Sequence, residues 1–401
     1  MAAFYTYRCG EPVVPGERVK NMSHPIIERL RIPGPTPVPP AVMAAMDRGM
    51  IPHRGPAFKE LYREILRMAR DAHRTDGEVL TWPASGSAGW EAGIVNLLSP
   101  GDVVLAVTTG YFGERFAHVG EAFGLDVRRL RVPWGEAATP DQVASELESI
   151  PGIRAVFLSH NETSTGVTNP LRELAAVAQQ FGALTLVDAV SSAGGLPLEM
   201  DAWELDYVFS GSQKAWMCPP GLMIAAIGPR AWDAMNSSRY SRFFWDFKSA
   251  RDAAKMGMTS STPSLTLLYA YDAALRLILA EGVETVWERH RSIGERTRQG
   301  VRALGLVPLA TEDISSNTVT AVRCPDGVGA TALVDAVREV GGIEIATGQA
   351  HLAEIIVRIG HMGWVQWPDI ERTLATIGEV LPALMVPVDP VDLSQSVAPQ
   401  R

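Results

Sequence analysis

The sequence predicts an α/β protein: a large domain built on a mostly parallel, doubly wound sheet, followed by a smaller C-terminal α/β domain. Two observations lead there. Five short apolar runs recur between residues 103 and 227 without clean period-two alternation, which is how strands buried on both faces read. Helical stretches stand between such runs, and alternating β and α elements favour parallel crossovers. After Pro263 long helices take over, and a second unit is expected from about residue 276.

Each element follows from local chemistry. Residues 1–31 are polar and irregular, an arm. "IPGPTPVPP" (Ile32–Pro40) is too rich in proline for a helix and reads as extended or polyproline-like. From Ala57 to His73, Phe58, Leu61, Ile65, Leu66 and Met68 share an apolar helical face. The apolar runs are Val103–Val107, Ala155–Leu158, Leu184–Val187, Asp206–Phe209 and Met223–Ile227. Before the third of them, "PLRELAAVAQQFGA" sets Leu171, Leu174, Ala178 and Phe181 near one face, with Gly182 as a stop. "LTLLYAYDAALRLILAEG" predicts a long helix ended by Gly282, and another helix covers Val283–Leu304. Strands at Thr318–Val322 and Ile355–Ile359 flank a helix at Thr331–Val340. The expected organisation is an arm (1–31), a large domain (32–275), a small domain (276–390) and a tail (391–401).

Composition narrows the function. Of 401 residues, 46% are hydrophobic and 20% charged, with a net charge of −9. That balance argues against a nucleic-acid or anionic-membrane partner. No leader pattern opens the chain and no run approaches a membrane span. Cys9, Cys218 and Cys324 are far apart and form no C-x-x-C pair, so a reduced, cytoplasmic setting is expected. The eight histidines form no ligand-spaced cluster, and no metal is expected.

Four features fall near predicted strand ends, where open α/β sheets gather ligands. "SGSAGWEA" (Ser85–Ala92) is a small-residue turn opening a helix; it is either a plain turn or a phosphate seat made of backbone N–H groups. Asp188 in "TLVDAVSSAGG" is either an N-cap or a fixed anion at the sheet edge. Lys214 in "FSGSQKAWMCPPGL" lies between two apolar flanks. It is either a solvated loop lysine or one whose pKa burial lowers so that it can attack a carbonyl. Arg358 in "IIVRIGHMG" interrupts an apolar strand, either for an internal ion pair or to hold a carboxylate with its planar fork. Taken together, a phosphate seat, a buried anion, a lysine and a carboxylate fork specify a pyridoxal phosphate enzyme acting on amino acids. No G-x-G-x-x-G follows an early strand, which argues against a dinucleotide enzyme.

With these residues in place, "GPTPVPPAVMAAM", "SGSAGWEAGIVNLLSPGD", "HNETSTGVTNPL", "VDAVSSAGG", "SGSQKAWMCPPG", "SNTVTAV" and "RIGHMG" together resemble the class V aminotransferases of fold type I. Within that class the chain is most similar to the alanine–glyoxylate and serine–glyoxylate branch, from Arg31 to about Leu381. The resemblance implies that Lys214 bonds covalently to pyridoxal phosphate and that Asp188 pairs with its ring nitrogen. Ser87, Ala88 and Gly89 fall in the phosphate turn, with Gln213 beside it. Thr163 falls near the ring hydroxyl, Phe112 where an aromatic stacks on the ring, and Ser192 beside the cofactor. Thr262 matches a threonine that reaches the phosphate from a neighbouring subunit, which implies a homodimer with shared sites. Arg358 matches the arginine that grips the substrate carboxylate. Ser261 departs from the tyrosine or histidine common before that threonine. His361 reads as a structural histidine.

The expected activity is ping-pong transfer of an amino group from a small amino acid, of the alanine or serine type, to glyoxylate or pyruvate. Ureidoglycine–glyoxylate and pyridoxamine–pyruvate transamination stand as alternatives, as does a lyase or cysteine desulfurase. A desulfurase needs a cysteine on a mobile loop, and Cys324 lacks that setting.

Overall fold

The computed structural model describes residues 29–385. The expected arm, apart from its last three residues, and the expected tail lie outside the described residues.

Seven strands make the main sheet. From edge to edge they are Glu78–Trp82, Met223–Ile227, Tyr207–Gly211, Leu184–Asp188, Ile153–Ser159, Val103–Thr108 and Asp126–Arg131. Met223–Ile227 is antiparallel to both its neighbours, and every other pair is parallel. The mostly parallel sheet expected from the apolar runs is therefore present. The strand at Asp126–Arg131 escaped that criterion because it reads "DVRRLR". It is a sheet edge, where charges protect unpaired backbone rather than spoil a core.

The missing alternation has a direct cause. Leu105, Val107, Val156, Leu158, Val187 and Val208 face one core, shared with the helices Pro56–His73 and Leu265–Glu281. Their strand neighbours Val104, Ala106, Ala155, Phe157, Leu186 and Phe209 face the other, shared with Ala88–Leu97 and Tyr111–Ala122. Both sides are apolar, so no polar residue marks a face. Truncating a fully buried ring such as Phe157 or Phe209 costs ~3–5 kcal/mol at sites of this kind.

A second, antiparallel sheet contains Val307–Pro308, Val319–Arg323, Ile356–Gly360 and Ala346–Thr347. Helices Ala330–Gly341 and Trp367–Leu384 bury Leu333, Val337, Ile370, Leu374 and Ile377 with it. Arg29–Leu30 pairs with Ile343–Glu344, and Arg31 bonds Asp369 at 2.6 Å. The proline-rich segment is thus tied to C-terminal elements at its start, and it runs from there across the main sheet.

Candidate active site

Parallel strands finish at a common edge, and five of these ends deliver sequence-predicted residues. Glu78–Trp82 leads into Ser87, Ala88 and Gly89, and Val103–Thr108 leads to Phe112. Ile153–Ser159 leads to Thr163, Leu184–Asp188 ends on Asp188 and leads to Ser192, and Tyr207–Gly211 leads to Gln213 and Lys214. The second sheet contributes Arg358 from the middle of Ile356–Gly360.

Lys214 lies under the proline-rich segment. Its amine donates to the Pro33 carbonyl. The Thr36 N–H donates to Gln213 O at 3.1 Å, and the Thr36 hydroxyl to Lys214 O at 3.0 Å. Gly34 makes this approach possible: its φ is +127°, and a Cβ there would stand 2.6 Å from Lys214 Cδ. Burial, aided by the charge of Arg358, lowers the Lys214 pKa to about 8, while Asp188 pulls the other way. An appreciable fraction of the amine is therefore neutral near pH 7.

Asp188 is buried and held at both oxygens. Oδ2 accepts from Trp90 Nε1 and Oδ1 from the Val190 N–H, each at 2.9 Å. Burial raises its pKa to about 7; the Val190 bond opposes this, Glu162 adds to it, and Trp90 and Lys214 oppose it. The sequence reading missed Trp90 and Glu162. Glu162 is fully buried, and its carboxylate accepts from the N–H groups of Phe112 (3.1 Å) and Gly113 (3.0 Å) and from the Ser164 hydroxyl (2.5 Å). It thereby caps the helix Tyr111–Ala122 with a negative charge, which the helix dipole favours. Burial still raises its pKa.

Arg358 is buried without a carboxylate partner. Its Nε donates to Thr347 O at 2.9 Å, and Nη1 reaches Thr163 O at 3.4 Å and Gln349 Oε1 at 3.3 Å. Burial lowers its pKa to about 10, with Glu162 opposing. An internal ion pair, the plain alternative for this residue, is not formed among the described residues. The fork keeps donor capacity for an anion.

The smaller groups divide. Thr163 Oγ1 donates to Ser191 Oγ at 2.8 Å, so Ser191, not foreseen, completes that corner. The Ser192 hydroxyl and Gln213 Oε1 are buried without a hydrogen-bond partner; such orphans call for a missing polar group. The turn at Ser85–Gly89 is partly closed on itself. The Ala88 and Gly89 N–H groups already bond Ser85 O and Gly86 O, at 3.0 and 2.9 Å. Ser87 makes no side-chain cap and is exposed, so the free donors of the turn lie at its start. Gly89 is required by packing instead: a Cβ there would meet the Phe209 ring at 2.1 Å. Phe112 is half-buried, its ring edge-on to Tyr111 at 5.5 Å. Thr262 is exposed, in the connection between helices Phe247–Lys255 and Leu265–Glu281.

Three further residues behave as ordinary structure. His361 is fully buried between Thr320 Oγ1 (2.9 Å) and Asn317 O (3.1 Å). Burial raises the thiol pKa of Cys218, and that of Cys324 to about 11, so neither offers a thiolate near neutral pH. No group of three or more metal-ligating side chains occurs among the described residues. No described helix is long and apolar enough to cross a membrane.

A lysine of lowered pKa and a buried carboxylate at neighbouring ends of the main sheet, with a guanidinium from the second sheet that has no carboxylate partner among the described residues, mark a candidate enzyme site. The model of the class-V aminotransferases matches residues 32–366, and the chain belongs to that family. It is 38% identical to the 42 kDa subunit of soluble hydrogenase from Anabaena cylindrica, over 88% of this chain and 92% of that one. It is 35% identical to the L-aspartate–glyoxylate aminotransferase of Paracoccus denitrificans, over 89% of this chain and 92% of that one. The crystal structure of alanine–glyoxylate aminotransferase from Nostoc sp. superposes with a TM-score of 0.86 at 31% identity, covering 92% of this chain and all of that one.

Proposed function

We propose that the protein transfers the amino group of a small amino acid, of the alanine or serine type, to glyoxylate or pyruvate, using pyridoxal 5'-phosphate. The observation that carries this reading is the meeting of Lys214, Asp188 and the unpaired Arg358 fork at the ends of two sheets. The residues present suit the cofactor: the orphaned Ser192 hydroxyl and Gln213 carbonyl and the open start of the Ser85–Gly89 turn lie at the same strand ends. When bound, pyridoxal phosphate supplies an aldehyde that exchanges amino groups and a ring that accepts electrons.

The chain's own residues divide the work. Lys214 would hold the cofactor and serve as the base that takes the substrate α-proton and gives it back; a pKa near neutrality suits both directions. Asp188 would offer its carboxylate to the ring nitrogen. Arg358 would bind the substrate carboxylate and so fix the direction of the Cα–H bond. Ser87, Ala88, Gly89 and Gln213 would hold the phosphate, and Thr163, Ser192 and Phe112 the ring. Thr262 acts on the phosphate of a second copy, in keeping with its exposed position, so the working unit is a homodimer, placed in the cytoplasm. The domain division at about residue 276 separates the cofactor-bearing part from the part that carries Arg358.

The test is a half-reaction. Purified protein is mixed with pyridoxal phosphate, and alanine, serine, aspartate and ureidoglycine are added separately. The expected result is a yellow protein bleached by alanine or serine and recoloured by glyoxylate or pyruvate. A protein that never colours overturns the cofactor assignment; bleaching by aspartate or ureidoglycine alone overturns the donor class.

A further inference from the structure

Trp90 is the third residue of the helix that follows the Ser85–Gly89 turn, and its indole N–H reaches across to Asp188 Oδ2 at 2.9 Å. Both side chains are buried, at 3% and 6% exposure. The indole is fixed on every side: it stacks near Phe116 (6.1 Å), meets Phe209 edge-on (6.4 Å), and lies under the Arg115 guanidinium (5.5 Å). Phe209 is also the ring against which Gly89 packs and the cross-strand partner of Asp188. One packed unit therefore links the small-residue turn to the carboxylate.

We infer that Trp90 is a positioning residue for the aminotransferase reaction, fixing the plane of the Asp188 carboxylate and favouring its ionised form. The inference rests on the proposed pairing of Asp188 with the cofactor's ring nitrogen. A hydrogen bond to a carboxylate stabilises its charged state, and it is shortest and strongest where water is excluded. The other groups facing Asp188 do not replace it. Glu162 repels the charge from beyond Ile153–Ser159, and Lys214 attracts it from beyond the same end of the neighbouring strand. The Tyr207 hydroxyl is committed to Gly89 O at 2.9 Å, and Arg115 lies over the indole rather than at the carboxylate. The Val190 N–H holds only Oδ1. Without Trp90, Oδ2 has no donor among the described residues, and the carboxyl group gains both a proton and freedom to rotate.

Trp90→Phe keeps an aromatic filling and removes only the donor. Full-length wild type and variant are titrated free of cofactor, with aspartate carboxyls followed by carbon-13 NMR and the Asp188 signal identified by its loss in Asp188→Asn. The expected midpoint in Trp90→Phe lies about one pH unit above wild type. Both proteins are then loaded with nitrogen-15 pyridoxal phosphate. The ring nitrogen signal of the variant is expected to move toward the unprotonated position, because the proton passes to the more basic carboxylate. A merely structural Trp90 would lower the unfolding temperature and move neither signal, and unmoved signals overturn the inference. If Trp90→Phe does not fold, the indole N–H resonance of wild type, recognised by its displacement in Asp188→Asn, is followed instead. It is expected to move upfield as pH falls through the Asp188 midpoint, and a pH-independent resonance overturns the inference. Failure to take up the cofactor would overturn the functional reading instead, leaving the cofactor-free titration to decide the role of Trp90 alone.

Discussion

Two cations meet at the centre of this molecule, and the two sheets present them in opposite ways. Lys214 stands three residues beyond the end of Tyr207–Gly211, on irregular backbone. Arg358 is the middle residue of a five-residue strand, flanked in register by Ala321 on one side and Ala346 on the other. Burial lowers the pKa of both, to about 8 and about 10. The result differs because the starting points differ: the guanidinium stays charged at neutral pH, while the amine comes within reach of losing its proton. A group that moves protons sits on a loop with a four-carbon stem. A group that only holds charge is fixed in a ladder, its Nε pinned to Thr347 O at 2.9 Å.

The sharpest way to break that comparison is to remove the mobile cation. Lys214→Ala is expected to lower turnover by about 10³-fold or more, the range of a lost general base, and to prevent covalent retention of the cofactor through dialysis or gel filtration. Steady-state kinetics and retained colour check both. Turnover within tenfold of wild type would show that the lysine is not the proton carrier.

The fixed cation should fail differently. Arg358→Lys keeps the charge but loses the planar fork and the bond to Thr347 O. KM for the amino donor is expected to rise roughly 10–100-fold, the worth of one charge-assisted hydrogen bond, with a smaller change in kcat. Equal losses in kcat would move Arg358 from substrate binding to the chemical step.

How far this division was legible in the sequence follows from the same contrast. Lys214, Asp188 and Arg358 are visible because each interrupts apolar surroundings, and a polar residue in an apolar run must be explained. Glu162 and Trp90 gave no such signal. Glu162 lies in the polar text "HNETSTG", where a carboxylate looks solvated; only the fold shows that four donors surround it. Trp90 occupies an apolar helix position and looks like core until its N–H is seen to face Asp188. The strand Asp126–Arg131 was missed for the inverse reason, since edge strands carry charge. The cover that Pro33 and Thr36 form over Lys214 links residues 181 and 178 positions apart, a closeness no local pattern encodes.

The smallest effect concerns charges the fold refuses altogether. His73, His160, His290 and His361 are all buried, and burial lowers their pKa values to about 4, 4, 3 and 3. His73 bonds Ala69 O and His290 bonds Val286 O, each at 2.7 Å, which gives both a structural place as neutral rings. From about pH 6.5 down to about pH 4 the unfolded chain binds protons that the folded chain excludes, so stability falls as pH falls. Asp188 acts in the opposite sense: with its pKa raised to about 7, the cofactor-free fold gains a proton between about pH 7 and pH 4 and recovers part of the loss. Lowering pH from 7 to 6 should therefore cost the cofactor-free protein about 2 kcal/mol, with somewhat under about 1 kcal/mol from each histidine. Urea unfolding at the two pH values measures the difference. His73→Gln should reduce it by one histidine's share, and Asp188→Asn should enlarge it by about 1 kcal/mol. A stability that rises from pH 7 to pH 6 would mean that the imidazoles are charged in the fold.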